Sequence, residues 1–196
     1  ELNIFAKIKS LDDKYLSNLF ARRIFFTLSF SAYTSLLTLY VQNRYELDVK
    51  QVGLIFLVIG SFLVINQGLF SRRFAERFGE DRTYLIGQFL LFSGLILLYL
   101  ADSLLIFFAC SYLTNLGISL SIPTFKSIIT SAVEKRKQGL INGIDESIFS
   151  ISSAFAPTIA GLIYTFVGIG ITPIIAIFLL LQFPLTWWQV RKVSRN

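Results

Sequence analysis

The chain has no histidine and no methionine, and only one cysteine and four prolines in 196 residues. Without His, the commonest general base and zinc ligand is missing. A lone thiol, Cys110, cannot close an internal disulfide, and a buried Cys most often behaves as a small hydrophobe. Metal and redox chemistry are therefore poor readings, and no cofactor is expected. No glycine-rich nucleotide loop occurs either, which argues against ATP as an energy source. Charge is scarce: Asp, Glu, Lys and Arg make up 15% of the residues against 54% hydrophobic ones, and the mean hydropathy is +0.66. That balance argues against a water-soluble core. The first 23 residues lack the short apolar run and small-residue cleavage site of a secretory signal. The absence of Met, with a connector-like opening at Glu1, leads us to expect a piece of a longer polypeptide, its C-terminal half.

What is abundant is long apolar sequence. Six stretches, near Ile24–Gln42, Gln51–Ser71, Thr83–Ala101, Ser103–Phe125, Gly139–Phe166 and Ile169–Gln189, each approach the ~20 helical residues that cross a hydrocarbon core of about 30 Å. If alternate connections lie on opposite faces, 16 of the 18 Lys and Arg residues share one face, and only Arg44 and Lys50 fall on the other. Basic loops stay cytoplasmic. The reading is an all-α, multi-pass protein of the cell (plasma) membrane, the inner membrane of a bacterium, with both ends of this segment cytoplasmic. Residues 1–23 form a connector, with a short amphipathic helix on Leu11, Tyr15, Leu16 and Leu19. Residues 24–190 form the six-helix bundle, and 191–196 a basic tail. The net charge of +6 is then a matter of orientation and anionic headgroups rather than nucleic acid.

The fifth stretch is the least apolar. Gly139, Gly143, Ser147, Pro157 and Gly161 give it a small-residue face, and small residues let helices approach closely where lipid removes the hydrophobic drive. This helix is expected to be central. Asp102 is expected to cap the helix that follows it, and Pro173 and Pro184 to bracket the last span. Trp187 and Trp188 sit where an aromatic belt would lie.

Two groups of residues carry a family resemblance. The second span runs into Gly68-Leu69-Phe70-Ser71-Arg72-Arg73-Phe74-Ala75-Glu76-Arg77-Phe78-Gly79, which resembles the G-x-L-A-D-R-x-G-R-R loop of the major facilitator superfamily. Glu76 stands at its acidic position, Arg77 at its basic one and Gly79 at its second glycine. Arg72 replaces the first glycine, and Glu80-Asp81 replace the basic pair. Gln138-Gly139-x-x-x-Gly143-x-x-x-Ser147, with Ala156-Pro157 and Gly161, resembles the eleventh helix of drug-efflux members, including the tetracycline-efflux branch. Tyr40-Val41-Gln42 and Gln51-Val52-Gly53 are similar to that branch's seventh and eighth helices.

The resemblance implies six helices as two inverted three-helix repeats, half of a twelve-helix fold. It also implies secondary transport by alternating access: proton-coupled efflux of small, amphipathic molecules, working with an N-terminal six-helix half. Arg73, Glu76, Arg77 and Gly79 would then act in a gating loop, with Glu76 favoured at a helix N-terminus. The four arginines of the loop are as readily explained by orientation alone. A membrane scaffold or assembly subunit with the same fold is the alternative, because fold does not fix function. An enzyme resting on Asp145, Glu146 and Ser147 would have poor geometry and no His, so the chain is read as non-enzymatic.

Asp145 and Glu146 are the only consecutive acids in an apolar stretch. Asp145 lies about 9 Å into its helix, counted from Gly139 at ~1.5 Å per residue. An acid at membrane depth costs roughly 2.5–3.5 kcal/mol on insertion scales unless it faces a cavity or a partner. One reading is that either acid binds a proton or a cationic substrate. The other places both in the first helical turns, beside Lys135 or Arg136. Neighbouring residues point about 100° apart, so the two acids should not share one cavity. Gln67, Asn115, Asn66, Asn142 and Tyr33 are candidate cavity-lining groups, or equally interhelical hydrogen bonds worth about 0.6 kcal/mol each; Tyr33 is better explained by packing.

The topology is open to direct measurement. Single cysteines placed in Arg72–Arg82 should react with a membrane-impermeant maleimide only from the cytoplasmic side; labelling from outside would reverse the orientation.

Overall fold

The computed structural model describes residues 14–187, and all of the regular structure among them is helical. Lys7, Lys9 and Leu11 of the connector, Trp188, and the 191–196 tail lie outside the described residues. The elements are α1 (Lys14–Tyr45), α2 (Val49–Asn66), a π-turn (Gln67–Ser71), α3 (Arg72–Phe78), α4 (Glu80–Tyr99), α5 (Leu104–Ser131), α6 (Gln138–Val167) and α7 (Ile171–Leu180). Five helical stretches among the described residues are long and apolar enough to span a bilayer, and a sixth, Ile171–Trp187, is shorter. We call the end that carries Arg72–Arg82 and Lys135–Lys137 the basic end.

Local chemistry explains where the helices start and stop. Asp48 and Gln51 form a reciprocal capping box on α2: Gln51 N–H donates to Asp48 Oδ1 at 2.8 Å, and Asp48 N–H donates to Gln51 Oε1 at 2.9 Å, which satisfies two orphan donors. The cap of α5 is Ser103, which accepts from Ile106 N–H at 3.4 Å, and not Asp102 as the sequence suggested. Asp102 is engaged instead by the Arg44 guanidinium. Gly79, at φ 79°, turns the chain between α3 and α4 in a region where a Cβ is strained.

Three elements differ from the sequence reading. Among the described residues the first helix runs from Lys14 without a break into the span, so Tyr15, Leu16 and Leu19 belong to the spanning helix itself, with Leu16 and Leu19 buried. The stretch Arg72–Phe78 is helical, so Glu76 sits in the middle of α3 rather than at a helix N-terminus. The last span breaks after Leu180. Pro184 has no N–H to give the Leu180 carbonyl, which ends the α-helical ladder there.

Among the described residues the bundle has two apolar cores. The larger is built around Tyr40, Val41, Leu91, Leu95, Phe107 and Leu179. The smaller, at the basic end, joins Leu16, Leu19, Tyr84, Phe125, Ile129 and Ile141. The helices α4 and α5 pack closely at their glycines. A Cβ on Gly94 would lie 2.2 Å from Thr114 Oγ1 and 2.8 Å from Thr114 N, and one on Gly117 would lie 2.5 Å from Leu91 N.

The expectation that the fifth span is central does not hold within this chain. Only 17% of the span window containing α6 is buried, against 56% for α1 and α5. A Cβ added at Gly139, Gly143 or Gly161 would meet nothing within 4 Å. Gly94→Ala should therefore destabilise the full-length protein by about 1–3 kcal/mol, whereas Gly60→Ala, at an open position, should be neutral or slightly stabilising. Thermal unfolding of both variants in detergent checks the contrast.

Candidate functional site: a buried carboxylate between two cations

At the basic end, α1, α5 and α6 converge on Asp145, whose side chain is fully buried. Arg23 Nε of α1 lies 2.9 Å from Asp145 Oδ1, and Lys126 Nζ of α5 lies 3.1 Å from Oδ2. Each carboxylate oxygen thus has its own cation, from a different helix. Arg23 is itself buried and lies between rings, with its guanidinium carbon 4.9 Å from the Phe149 centroid and 5.6 Å from that of Phe125. The arrangement offsets the cost of burying a charge, which only close pairing makes tolerable.

Glu146 points elsewhere. Its side chain is 64% exposed and its carboxylate stands 3.8 Å from Lys126 Nζ, so Lys126 is shared between a buried acid and an open one. Glu146 borders a cleft lined by Arg23, Phe30, Ile122, Lys126 and Phe149, and a second, shallower hollow with Ser147, Ser150 and Ile151. The expected divergence of the two neighbouring acids is thus realised. Their partners are not Lys135 or Arg136 but Arg23 and Lys126, which charge counting had assigned to loops.

Beside this cluster lies a second polar chain. Gln88 Nε2 donates to Ser121 Oγ at 3.2 Å, Gln182 Nε2 to Gln88 Oε1 at 2.5 Å, and Tyr84 O–H to Gln182 Oε1 at 2.9 Å. The buried Arg22 guanidinium lies 4.5 Å over the Tyr84 ring. These bonds join α4, α5 and the break after α7. Sequence reasoning overlooked Gln88, Gln182, Tyr84, Arg22 and Arg23. A usable signal existed for the first two: each is an isolated amide in an otherwise apolar run.

The remaining candidates do not gather at one site. Asn142 accepts from Thr130 Oγ1 at 3.1 Å, linking α5 to α6. Asn115 donates to the Ser111 carbonyl one turn back, and Ser147 to that of Gly143. Tyr33 is buried in the larger core. Asn66 is fully buried and Gln67, beside it on the π-turn, is exposed. On α3, Arg72 Nε pairs with Glu76 Oε1 at 2.7 Å on an exposed surface. Arg73, Arg77 and Gly79 are also exposed. Pro157 lies inside α6.

An all-helical bundle with membrane-length apolar helices and a buried Arg23–Asp145 ion pair is a multi-pass membrane protein. The model of the Major Facilitator Superfamily matches residues 17–195, and the chain belongs to that superfamily. It is 28% identical over 149 residues to the tetracycline resistance protein, class G, of Vibrio anguillarum, covering 75% of this chain and 38% of that one. It is 26% identical over 148 residues to the human MFS-type transporter SLC18B1, covering 67% of this chain and 32% of that one. Among solved structures, the human organic anion transporter MFSD10 (TETRAN) superposes with a TM-score of 0.82 at 22% identity, over 87% of this chain and 40% of that one. The peptide transporter POT in complex with sulfate gives 0.79 at 20% identity, over 91% and 38%. The fold is that of half such a protein, and the matched region spans about a third of the length of the curated relatives.

The ion cluster predicts an order of damage. Asp145→Asn strands two cations, one of them buried, and should cost about 3–5 kcal/mol. Arg23→Gln should cost less, because Lys126 still meets the acid, and Lys126→Gln least, because Arg23 keeps the buried contact. Unfolding midpoints of the three full-length variants in detergent test that ranking.

Proposed function

We propose that the chain is the C-terminal six-helix half of a twelve-helix secondary transporter. It moves small, amphipathic molecules by alternating access, coupled to protons and directed outward across the plasma membrane, with both ends of this segment on the cytoplasmic side. The observation that carries the reading is the two-sided character of α6. One edge is tied into the bundle through Asp145, while Gly139, Gly143 and Gly161 look onto open space. A face of small residues with nothing against it suits close approach by another helical half.

In this reading the cluster is the rigid part. Asp145 binds α1, α5 and α6 into one body at the basic end, so that they move together when the halves rock. The mobile proton belongs to Glu146, the acid that reaches the cleft, because both oxygens of Asp145 are already held by cations. Phe30, Ile122 and Phe149 give the same cleft an apolar wall, which suits an amphipathic molecule. The exporting direction rests on the similarity to the tetracycline resistance protein.

Full-length protein in proteoliposomes, with tetracycline as the first probe, should show flux driven by an imposed pH gradient. Glu146→Gln should fold normally, bind the probe and lose the response to the gradient. Unchanged coupling in that variant would remove Glu146 from the mechanism. No gradient-driven flux in the wild type, across a panel of amphipathic probes, would favour a membrane scaffold instead.

A further inference from the structure

The long stretch from α2 to α3 is interrupted by the π-turn at Gln67–Ser71. A π-turn inserts one extra residue into an α-helix, is intrinsically less favourable than the helix around it, and recurs at functional bends. Immediately before it stands Asn66, with zero exposure and with neither side-chain Oδ1 nor Nδ2 hydrogen-bonded. An unpaired buried amide is destabilising, and a native group left so calls for an explanation.

The two sides of the turn are held very differently. On the α2 side, Ser119 Oγ of α5 donates to the Leu63 carbonyl at 3.4 Å, and the rings of Phe62 and Tyr112 meet edge-on with centroids 5.2 Å apart. On the other side, α3 has no buried residue. Its Arg72–Glu76 pair is internal to it and exposed. Its far end is Gly79, whose φ of 79° frees the chain to change direction. The helix α3 is therefore a short lever, with a π-turn at one end and a glycine at the other.

We propose that the π-turn is the pivot on which α3 swings to open and close the basic end, and that Asn66 keeps it bistable. Passing the extra residue back along α2 turns Asn66 by about 100°, which takes its amide out of the core and relieves the unpaired state. The orphaned amide thus destabilises the form seen here and keeps the second form within reach. The device rests on the transporter reading only for its consequence in flux; the pivot itself can be measured without it.

The test uses full-length protein in nanodiscs, with buried Cys110 replaced by Ala. Spin labels at Ala75→Cys on α3 and Ser131→Cys at the end of α5 should give two distance populations. Labels above the turn, at Leu57→Cys and Leu105→Cys, should give one. Asn66→Leu, which keeps the volume and removes the polar atoms, should collapse the first pair to one population. It should also raise the unfolding midpoint by about 3 °C or more and slow turnover about tenfold. A single population for Ala75 and Ser131 in the wild type, or a midpoint for Asn66→Leu at or below that of the wild type, overturns the pivot. Two populations in a protein that carries no flux would sink the transporter reading and leave the pivot standing. Normal flux with one population would do the reverse.

Discussion

A carboxylate sealed inside a membrane protein has to be met by positive charge, and the meeting of Asp145 with Arg23 and Lys126 organises this half-fold. The contact joins three helices, holding α1 against the consecutive pair α5 and α6. It uses each carboxylate oxygen once and closes beneath a small apolar core at the basic end. Hydrophobic burial cannot choose such a neighbourhood in lipid, because the surrounding chains are as apolar as the helices. Ion pairs and close packing take over that task. Where charge is absent, the glycines of α4 and α5 bring backbones together; where α1 must join α6, the buried charge does it.

The same constraint separates the two acids on α6. Asp145 is buried, with a cation beside each of its oxygens. Glu146, one residue on, shares Lys126 but faces the cleft. A helix turns by about 100° per residue, so a single step in sequence divides a fixed anchor from an exposed acid. The second polar chain, from Ser121 through Gln88 and Gln182 to Tyr84, ties α4 to the break after α7 in the same manner. Both networks lie toward the basic end, where the signature loop also sits. Under the proposed rocking of two halves, stiffness there would give the proposed lever, α3, a fixed frame to move against.

Much of this was legible without coordinates. Run length and loop charge defined a multi-pass helical protein, because the bilayer imposes a minimum span and an orientation bias on any chain. The loop ending at Gly79 and the glycine-serine face of the fifth span pointed to the family. The site was only half legible. Two acids in an apolar stretch announced themselves by their cost, but their partners did not: Arg22, Arg23 and Lys126 look like loop charges until the helices are seen to extend past them. Likewise, Gly139, Gly143 and Gly161 read as a packing face and meet no neighbour in this chain, while the glycines that do pack tightly, Gly94 and Gly117, lie in runs where nothing marks them.

The division follows from the range of the forces involved. Apolar length, capping residues, helix-breaking prolines and the sign of loop charges act locally or through the bilayer, so the order of residues determined the number, approximate limits and orientation bias of the helices. Which cation reaches which acid, which glycine meets a neighbouring backbone and which amide is left unpaired depend on side chains brought together across the bundle. Those choices belong to the tertiary structure alone, because residues 23, 126 and 145 become neighbours only when three helices have docked.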